Sequence, residues 1–157
     1  MTKKIPIILF LFFCGILKAE IAISGCTMGV TPINFGTYDT FSSTPLDAVG
    51  TITVNCTGDV NRADVTLGVS SNPGGFNPRR MKRSGGIDLL DYNIYTDVTR
   101  TVIFGDGAGG TTKIERIKRT GKPEPWSDSI SIYGRIPPGQ DVSAGTYSDA
   151  LTATVNP

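Results

Sequence analysis

The sequence predicts an all-β protein built as a sandwich of short strands. Three observations support this prediction. Stretches of alternating apolar and polar residues recur along the chain, turns rich in glycine and proline separate them, and no stretch keeps a helical period. Many short strands with turns about every 8 to 12 residues are typical of a β-sandwich.

The first 19 residues are typical of a secretory signal peptide. Two lysines near the start precede an apolar run over residues 5–17, and Ala19 provides a small residue before a cleavage site. The run ends at Lys18, so it is shorter than the roughly 20 apolar residues that a membrane-spanning helix needs. We therefore predict a signal peptide at 1–19, one domain at 20–157, and no membrane insertion after cleavage.

Cleavage after Ala19 sets the charge of the mature chain. It removes three lysines from the 15 basic residues and leaves all 14 acidic ones, which gives a net charge of −2. This weak charge gives no reason to expect a nucleic acid or an anionic membrane as partner. Cleavage also removes Cys14, which follows the bulky Phe13 where a lipoprotein signal has a small residue, so lipid attachment is the less favoured alternative.

The mature chain keeps two cysteines, Cys26 and Cys56. In an oxidising compartment a single pair of cysteines is most simply a disulfide, which stabilises a loop of this size by about 3 to 4 kcal/mol. A metal site is the alternative, but the sequence has no histidine and two thiols do not complete a zinc shell. We predict a disulfide and no metal or other cofactor.

Four strands are predicted in the first half of the mature chain, at residues 21–28, 33–38, 48–56 and 63–69. Pro32 separates the first two, and the last two alternate clearly between apolar and polar residues. Because Cys26 and Cys56 each lie in one of these strands, their bond would join the first strand to the third.

The second half is predicted to contain strands at residues 81–83, 87–95, 101–104, 127–136 and 145–157. A Ser-Gly-Gly turn makes the first two a hairpin. Residues 105–110 are predicted to form a loop because four of the six are glycines, and no element is predicted over 111–126, which lacks a clear pattern.

The last of these strands determines the functional interpretation. Tyr147, Leu151, Ala153 and Val155 fall on one face of it and polar residues on the other. The given sequence ends at residue 157, directly after this strand. A sandwich must pair or protect the edge that its final strand leaves. We therefore expect a partner strand for this edge.

Catalytic chemistry has little support in the sequence. Without histidine the usual general base is missing, and no Ser or Cys lies in a nucleophile motif. Asp88 and Asp91 are three apart on a strand and point to opposite faces, so they do not form an acid–base pair. The loop at 105–110 lacks the Lys-Ser/Thr of a phosphate-binding loop, and Asp106 alone does not supply the oxygens that calcium needs. We predict no enzyme.

Two further features allow two interpretations each. Four basic side chains in a run could bind a surface polyanion, but a solvated hairpin end is the more common structure. They are Arg79, Arg80, Lys82 and Arg83. Trp126 could contact an adhesive surface, although a tryptophan covering the sandwich edge from a loop is the more common arrangement.

An ordered set of motifs resembles one known family. The motifs are Cys26 and the residues at 35–38, 50–56, 90–97, 105–107, 133–137 and 145–149. Together they resemble the spore coat protein U domain, a family that includes pilins of archaic, Csu-type chaperone-usher pili of Gram-negative bacteria. The resemblance covers essentially the whole mature chain.

The resemblance implies an incomplete immunoglobulin-like sandwich that lacks its last strand. In such pili a periplasmic chaperone lends the missing strand, and the N-terminal extension of another subunit then replaces it. The implied partners are this chaperone, an outer-membrane usher and other pilus subunits, at the surface of a Gram-negative cell. The implied walls of the acceptor groove are Ile23 on the first strand and Tyr147, Leu151, Ala153 and Val155 on the last.

The short N-terminal extension departs from a polymerising subunit. A donor strand needs about five or six residues, but only 20–25 precede Cys26 and these are needed for the first strand. We therefore expect a minor, terminal or tip-type subunit that accepts a strand and serves surface attachment and biofilm formation. Cleavage nearer Gly15 would lengthen the extension and weaken this inference. The alternative is a self-complemented secreted coat or surface-binding protein that does not polymerise.

Overall fold

A computed structural model describes residues 25–118 and 125–157. The predicted signal peptide and Ile23 lie outside these residues. The strands are β1 (Gly25–Thr31), β2 (Leu46–Thr57), β3 (Arg62–Leu67), β4 (Arg79–Arg83), β5 (Leu89–Tyr95), β6 (Ile114–Ile117), β7 (Trp126–Ile136), β8 (Tyr147–Ser148) and β9 (Ala153–Asn156).

The strands form two sheets in which neighbouring strands are antiparallel. The larger sheet has the order β1-β2-β7-β5-β4-β8, and the smaller has the order β6-β3-β9. The all-β prediction is confirmed. Among the described residues no helix is long and apolar enough to cross a membrane.

The core is built on the long central pair of β2 and β7. Their register sets Ile52 opposite Ile130 and Gly50 opposite Ile132, and these inward residues are buried. The outward positions carry small hydroxyl side chains, as in Thr53, whose Oγ1 lies 3.3 Å from Ser129 Oγ. This is the alternation that the sequence predicted for both strands.

The disulfide joins β1 to β2 as predicted. Cys26 and Cys56 are directly opposite each other in the β1–β2 register, with their Cα atoms 4.1 Å apart. Cys56 is fully buried. The bond therefore holds the edge strand β1 against its neighbour β2 in the larger sheet.

Three predicted features differ from the structure. Residues 33–38 form no strand, because the Asn34 side chain accepts a hydrogen bond from the Gly36 amide and Gly36 has a φ of 74°, which turns the chain. Residues 101–104 make only isolated bridges, at Ile103 and Phe104. Strand β6 lies in the stretch where no element was predicted.

The predicted single strand at 145–157 is wrong. The structure divides it into β8, which pairs with β4, and β9, which pairs with β3 in the other sheet. The Asp149 carboxylate fixes the crossing between the sheets by accepting hydrogen bonds from the Ser71 amide and hydroxyl, Asn72 Nδ2 and the Tyr92 hydroxyl. The Gly68 amide then donates to Thr152 O.

Both interpretations of the basic run need correction at Arg79. Its side chain is fully buried rather than at a solvated hairpin end. Arg80 and Arg83 form ion pairs with Asp91 and Asp88. Trp126 is also buried, at the start of β7, where its indole Nε1 donates to Val60 O at 2.6 Å. It is therefore a core residue and not an exposed contact.

Candidate strand-acceptor groove

Two sheet edges lie beside each other along one side of the sandwich. β1 is the edge of the larger sheet and β9 is the edge of the smaller sheet. The two strands approach to within 8 Å between Cα atoms but do not pair with each other. We call the channel between them the groove, and its borders are β1 and β9.

The β1 side of the groove is lined by alternate residues that face the core. Cys26, Met28 and Val30 are opposite the buried residues Cys56, Val54 and Ile52 of β2. Val30 nevertheless remains 53% exposed, although Ile52 across from it is 1% exposed. An apolar side chain that points inward but stays in water marks a part of the core that no described segment of this chain covers.

The β9 side carries three half-buried apolar residues. Ala153 and Val155 are opposite Leu67 and Val65 of β3, which are buried, and Leu151 precedes the strand. All three pack against the main core. These are three of the residues predicted to form a groove wall, and the assignment of that role remains a prediction.

One of the other two predicted wall residues lies on a different strand. Tyr147 belongs to β8, where it is opposite Arg83 of β4, and its hydroxyl donates to Ser143 O at 2.7 Å. Partial burial raises the pKa of Tyr147, and the nearby Asp88 carboxylate adds to the increase. Ile23 lies outside the described residues. The signal that the sequence analysis missed is Asp149, which interrupts the apolar face between Tyr147 and Leu151 where the chain changes sheets.

The segment that follows β1 packs inside the sandwich. Ile33 and Phe35 pack on the inner face of the β2–β7 pair, over Gly50 and Gly134. The Phe35 ring meets Tyr92 edge to face, with 6.0 Å between the ring centroids and an interplanar angle of 75°. The two glycines supply the room for this packing.

A buried polar cluster supports the sheet end opposite the β1 edge. Arg79 donates from Nη1 to Asn93 Oδ1 at 2.8 Å and from Nη2 to Gly68 O and Phe104 O, at 2.9 and 2.7 Å. Its guanidinium also lies 5.3 Å from the Phe76 ring centroid. Burial lowers the pKa of Arg79. Burial raises the pKa of Tyr92, and the hydrogen bond from Tyr92 to Asp149 raises it further. No sequence pattern separates Arg79 from its exposed neighbours.

The candidate catalytic and metal-binding groups are not brought together. Asp88 and Asp91 pair with two different arginines. The Asp106 side chain accepts a hydrogen bond from the Ala108 amide within its own loop. In the part of the chain that the structure describes, no group of three His, Cys, Asp or Glu side chains could hold a metal ion.

The groove combines the two features that strand addition requires. Within the described ranges each border strand pairs on one side only, so its other side offers backbone N–H and C=O groups to an incoming strand. Between the borders, apolar side chains lead to the buried core, so alternate apolar residues of that strand can be buried. The chemistry that this site supports is binding of an extended peptide.

Comparison with known proteins gives a consistent result. The model of the Spore Coat Protein U domain family matches residues 16–154. A relative from Myxococcus xanthus, described as Protein U, is 34% identical over 141 residues, which cover 83% of this chain and 74% of the relative.

A solved structure has a similar fold. It is the crystal structure of the CsuC-CsuE chaperone–tip adhesion subunit pre-assembly complex from archaic chaperone-usher Csu pili of Acinetobacter baumannii. The match has a TM-score of 0.57 at 23% identity and covers 85% of this chain. This chain spans 39% of the length of the matched chain. The likeness shows that the fold is an incomplete immunoglobulin-like sandwich of the Csu type.

Proposed function

The chain belongs to the Spore Coat Protein U domain family, and we propose that it is a secreted structural subunit of an archaic chaperone-usher pilus. The family consists of structural pilin and coat proteins and not of enzymes. In this proposal a periplasmic chaperone first fills the groove with one of its strands. A neighbouring subunit then replaces that strand during assembly at an outer-membrane usher, which brings the subunit to the surface of a Gram-negative cell.

The observation that carries the proposal is the exposed core at Val30. This side chain faces inward beside an unpaired strand edge but is 53% exposed, so a strand laid between β1 and β9 would cover it. The likeness to a chain from a chaperone–subunit complex supports a chaperone as the first source of that strand. The groove walls in the proposal are Ile23, Leu151, Ala153 and Val155. Tyr147 lies on β8, which belongs to the larger sheet.

The position in the fibre is a finer part of the proposal. Few residues precede β1 after cleavage at Ala19, so the subunit has little chain of its own to donate. This favours a minor, terminal or tip-type subunit that accepts a strand, with a role in attachment to surfaces and in biofilm formation.

A second candidate function is a secreted coat protein that does not polymerise. The 34% identity to Protein U of Myxococcus xanthus favours it, and so does the packing of Ile33 and Phe35 over Gly50 and Gly134 inside the sandwich. In this case the core would be covered from within, and the chain would be a stable monomer without a partner.

Co-expression with an archaic-type chaperone separates the two candidates. We expect the disulfide-bonded chain to be recovered as a one-to-one complex and to be degraded or aggregated alone. The V30D variant should lose the complex because it places a charge in the groove. The matched control is V49D, since Val49 is 54% exposed on the outer face of β2. A stable lone monomer, or equal loss of the complex in both variants, contradicts the pilus proposal.

A further inference from the structure

A polar pocket lies at the β8 edge of the larger sheet, which is the opposite edge from β1. Its volume is about 360 Å³, which falls within the range of small-molecule sites. Eight residues line the pocket, and Ala150 is the one apolar residue among them. The walls come from the segment after β3, from the end of β4 and from β8 with the residues that follow it. Because the lining is almost entirely polar, the pocket fits a ligand that forms hydrogen bonds over most of its surface.

The wall at residues 70–72 is fixed by contacts within the chain. Ser70 Oγ donates to Arg80 O at 2.9 Å, and Asn72 Nδ2 donates to the same oxygen at 2.8 Å. The Asp149 carboxylate accepts hydrogen bonds from the Ser71 amide at 3.2 Å and from the Ser71 hydroxyl at 2.8 Å. These bonds join the wall to β4 and to the segment after β8. The pocket is therefore formed before a ligand arrives, and binding needs little ordering of this wall.

Lys82 brings to this pocket a positive charge that no described carboxylate balances. It is exposed, and among the described residues it has no ion-pair partner. The arginines near it in sequence differ, since Arg80 pairs with Asp91 and Arg83 pairs with Asp88. An unpaired ammonium group beside a pocket of hydrogen-bonding groups favours a ligand that carries a carboxylate.

Two serine hydroxyls near Lys82 form no hydrogen bond within the described part of the chain. Ser148 is directly opposite Lys82 in the β4–β8 register, so the two side chains lie on the same face of the sheet. Ser84 follows β4 and lines the same pocket. A hydroxyl both donates and accepts hydrogen bonds, so each serine can bond to a hydroxyl of a sugar. The lining therefore offers partners to a sugar ring beside the charge that attracts a carboxylate.

Asp149 also lines the pocket, and its negative charge opposes an acidic ligand. Both of its carboxylate oxygens already accept hydrogen bonds, one from Ser71 and Asn72 and the other from the Tyr92 hydroxyl. Asp149 and the buried guanidinium of Arg79 attract each other, which offsets part of this negative charge. This corner of the molecule therefore keeps an excess of one positive charge. Its four basic residues are Arg79, Arg80, Lys82 and Arg83, and its three acidic residues are Asp88, Asp91 and Asp149.

We propose that this pocket binds an acidic sugar residue of a polysaccharide. The carboxylate of the sugar pairs with Lys82, and its hydroxyls bond to Ser84 and Ser148. An acidic peptide side chain brings a carboxylate but no set of hydroxyl groups for the two serines, so an acidic sugar uses more of the lining. The proposal goes beyond strand acceptance, since none of the lining residues belongs to β1 or β9.

An NMR titration of the isotope-labelled, disulfide-bonded full chain tests the pocket. The chain is used alone or with its chaperone, whichever form is recovered, because β1 and β9 do not line the site. The probes are trigalacturonate, the neutral trisaccharide maltotriose, and glutarate, which has carboxylates but no hydroxyl groups. We expect trigalacturonate to shift the amide signals of Asn72, Ser84 and Ser148 with a dissociation constant of about 1 mM or tighter. Maltotriose and glutarate should bind at least about tenfold more weakly, since each lacks one of the two required groups.

Substitutions in the pocket should weaken the binding of trigalacturonate. K82Q should weaken it at least about fivefold, because the charge that pairs with the carboxylate is removed. The matched control is K113Q, which removes the same charge beside the smaller sheet, where Lys113 pairs with Asp64. It should bind trigalacturonate as the wild type does. The S84A/S148A variant keeps the charge and should weaken binding about threefold or more, through the loss of the two hydroxyls.

The opposite results would overturn the proposal. Glutarate that binds as tightly as trigalacturonate would show a site for carboxylates and not for sugars. Equal binding of maltotriose would show that the charge of Lys82 has no role, and equal losses in K82Q and K113Q would show general attraction to the chain. Trigalacturonate that leaves the signals of Ser84 and Ser148 unchanged would show that the pocket is not the site. None of these results bears on strand acceptance, which the co-expression experiment tests at different residues.

Discussion

At the scale of single residues, a buried arginine organises one end of the sandwich. Arg79 has no exposed surface and donates hydrogen bonds to three separate segments, at Gly68, Asn93 and Phe104. Hydrogen bonds from a charged donor are stronger than those between neutral groups. Arg80, the next residue, points outward and forms a partly exposed ion pair with Asp91. These neighbours have the same chemistry but different roles.

Truncation of the two arginines should therefore have very different effects. We expect R79M to lower the free energy of unfolding by about 3 kcal/mol or more, because buried carbonyl and amide oxygens lose their donor. R80M should cost at most about 1 kcal/mol, as exposed ion pairs do. Urea denaturation of the disulfide-bonded chain measures both. Equal losses for the two variants would show that the buried hydrogen bonds contribute little.

Asp97 provides a residue whose contribution depends on pH. Hydrogen bonds lower the pKa of its carboxyl, first from the Thr99 hydroxyl and then from the backbone amides of Val102 and Thr101. A carboxyl whose pKa is lowered by folding stabilises the protein at pH values above its unfolded-state pKa, which is about 3.9. This stabilisation is lost as the pH falls from that value through the folded-state pKa. D97N should therefore melt below the wild type at pH 7, and the difference should narrow below about pH 4. A difference in melting temperature that is the same at pH 7 and pH 3 contradicts this account.

Residue environments were only partly predictable from the sequence. The disulfide partners were predictable because the predicted signal peptide contains the third cysteine, Cys14, which leaves Cys26 and Cys56. The burial of Arg79 was not, since its sequence neighbours Arg80, Lys82 and Arg83 form a basic run that is typical of a surface. Its burial depends on Gly68 and Phe104, which are distant in sequence and come close only in the folded sheet.

At the scale of strands, the disulfide acts on the edge strand β1. Among the described residues β1 pairs with β2 alone, and Cys26 and Cys56 connect the two strands at one end. Because β1 also borders the groove, the bond holds one wall of the site in place. The connection spans 30 residues of sequence, so it removes a considerable amount of entropy from the unfolded chain.

Replacement of both cysteines tests this role. We expect the C26S/C56S variant to lose about 3 to 4 kcal/mol of unfolding free energy, the value that the chain-entropy model gives for a loop of this length. Chemical denaturation without reductant gives the value. The oxidised wild type and the wild type under reductant serve as controls. A double variant as stable as the oxidised wild type would show that β1 is held by pairing alone.

The strands themselves were largely predictable, and the connections between sheets were not. Alternating apolar residues predicted β2, β3 and β7 because each has one buried and one more open face. Between β8 and β9 the alternation is interrupted at Asp149, and the chain changes sheets there. That change depends on contacts of Asp149 with Ser71 and Tyr92, and a local pattern does not contain such contacts.

At the scale of the whole molecule, two sheet edges of the described residues lie beside each other. They are β1 of the larger sheet and β9 of the smaller sheet, and the half-exposed side chain of Val30 lies on β1. The central claim of our account is that a strand from another chain inserts between these edges. Because neighbouring strands lie about 4.8 Å apart, β1 and β9 must then separate to about 10 Å from their present approach of 8 Å between Cα atoms.

Amide hydrogen exchange with and without the bound chaperone tests this claim most directly. Since β1 and β9 each pair on one side only, some of their amides should exchange rapidly in the free chain and become protected in the complex. The edge strands β6 and β8 do not border the groove between β1 and β9, so they serve as internal controls. We predict new protection in Gly25–Thr31 and Ala153–Asn156 and little change in Ile114–Ile117 and Tyr147–Ser148. Full protection of β1 and β9 in the free chain, or new protection confined to β6 and β8, would contradict the account.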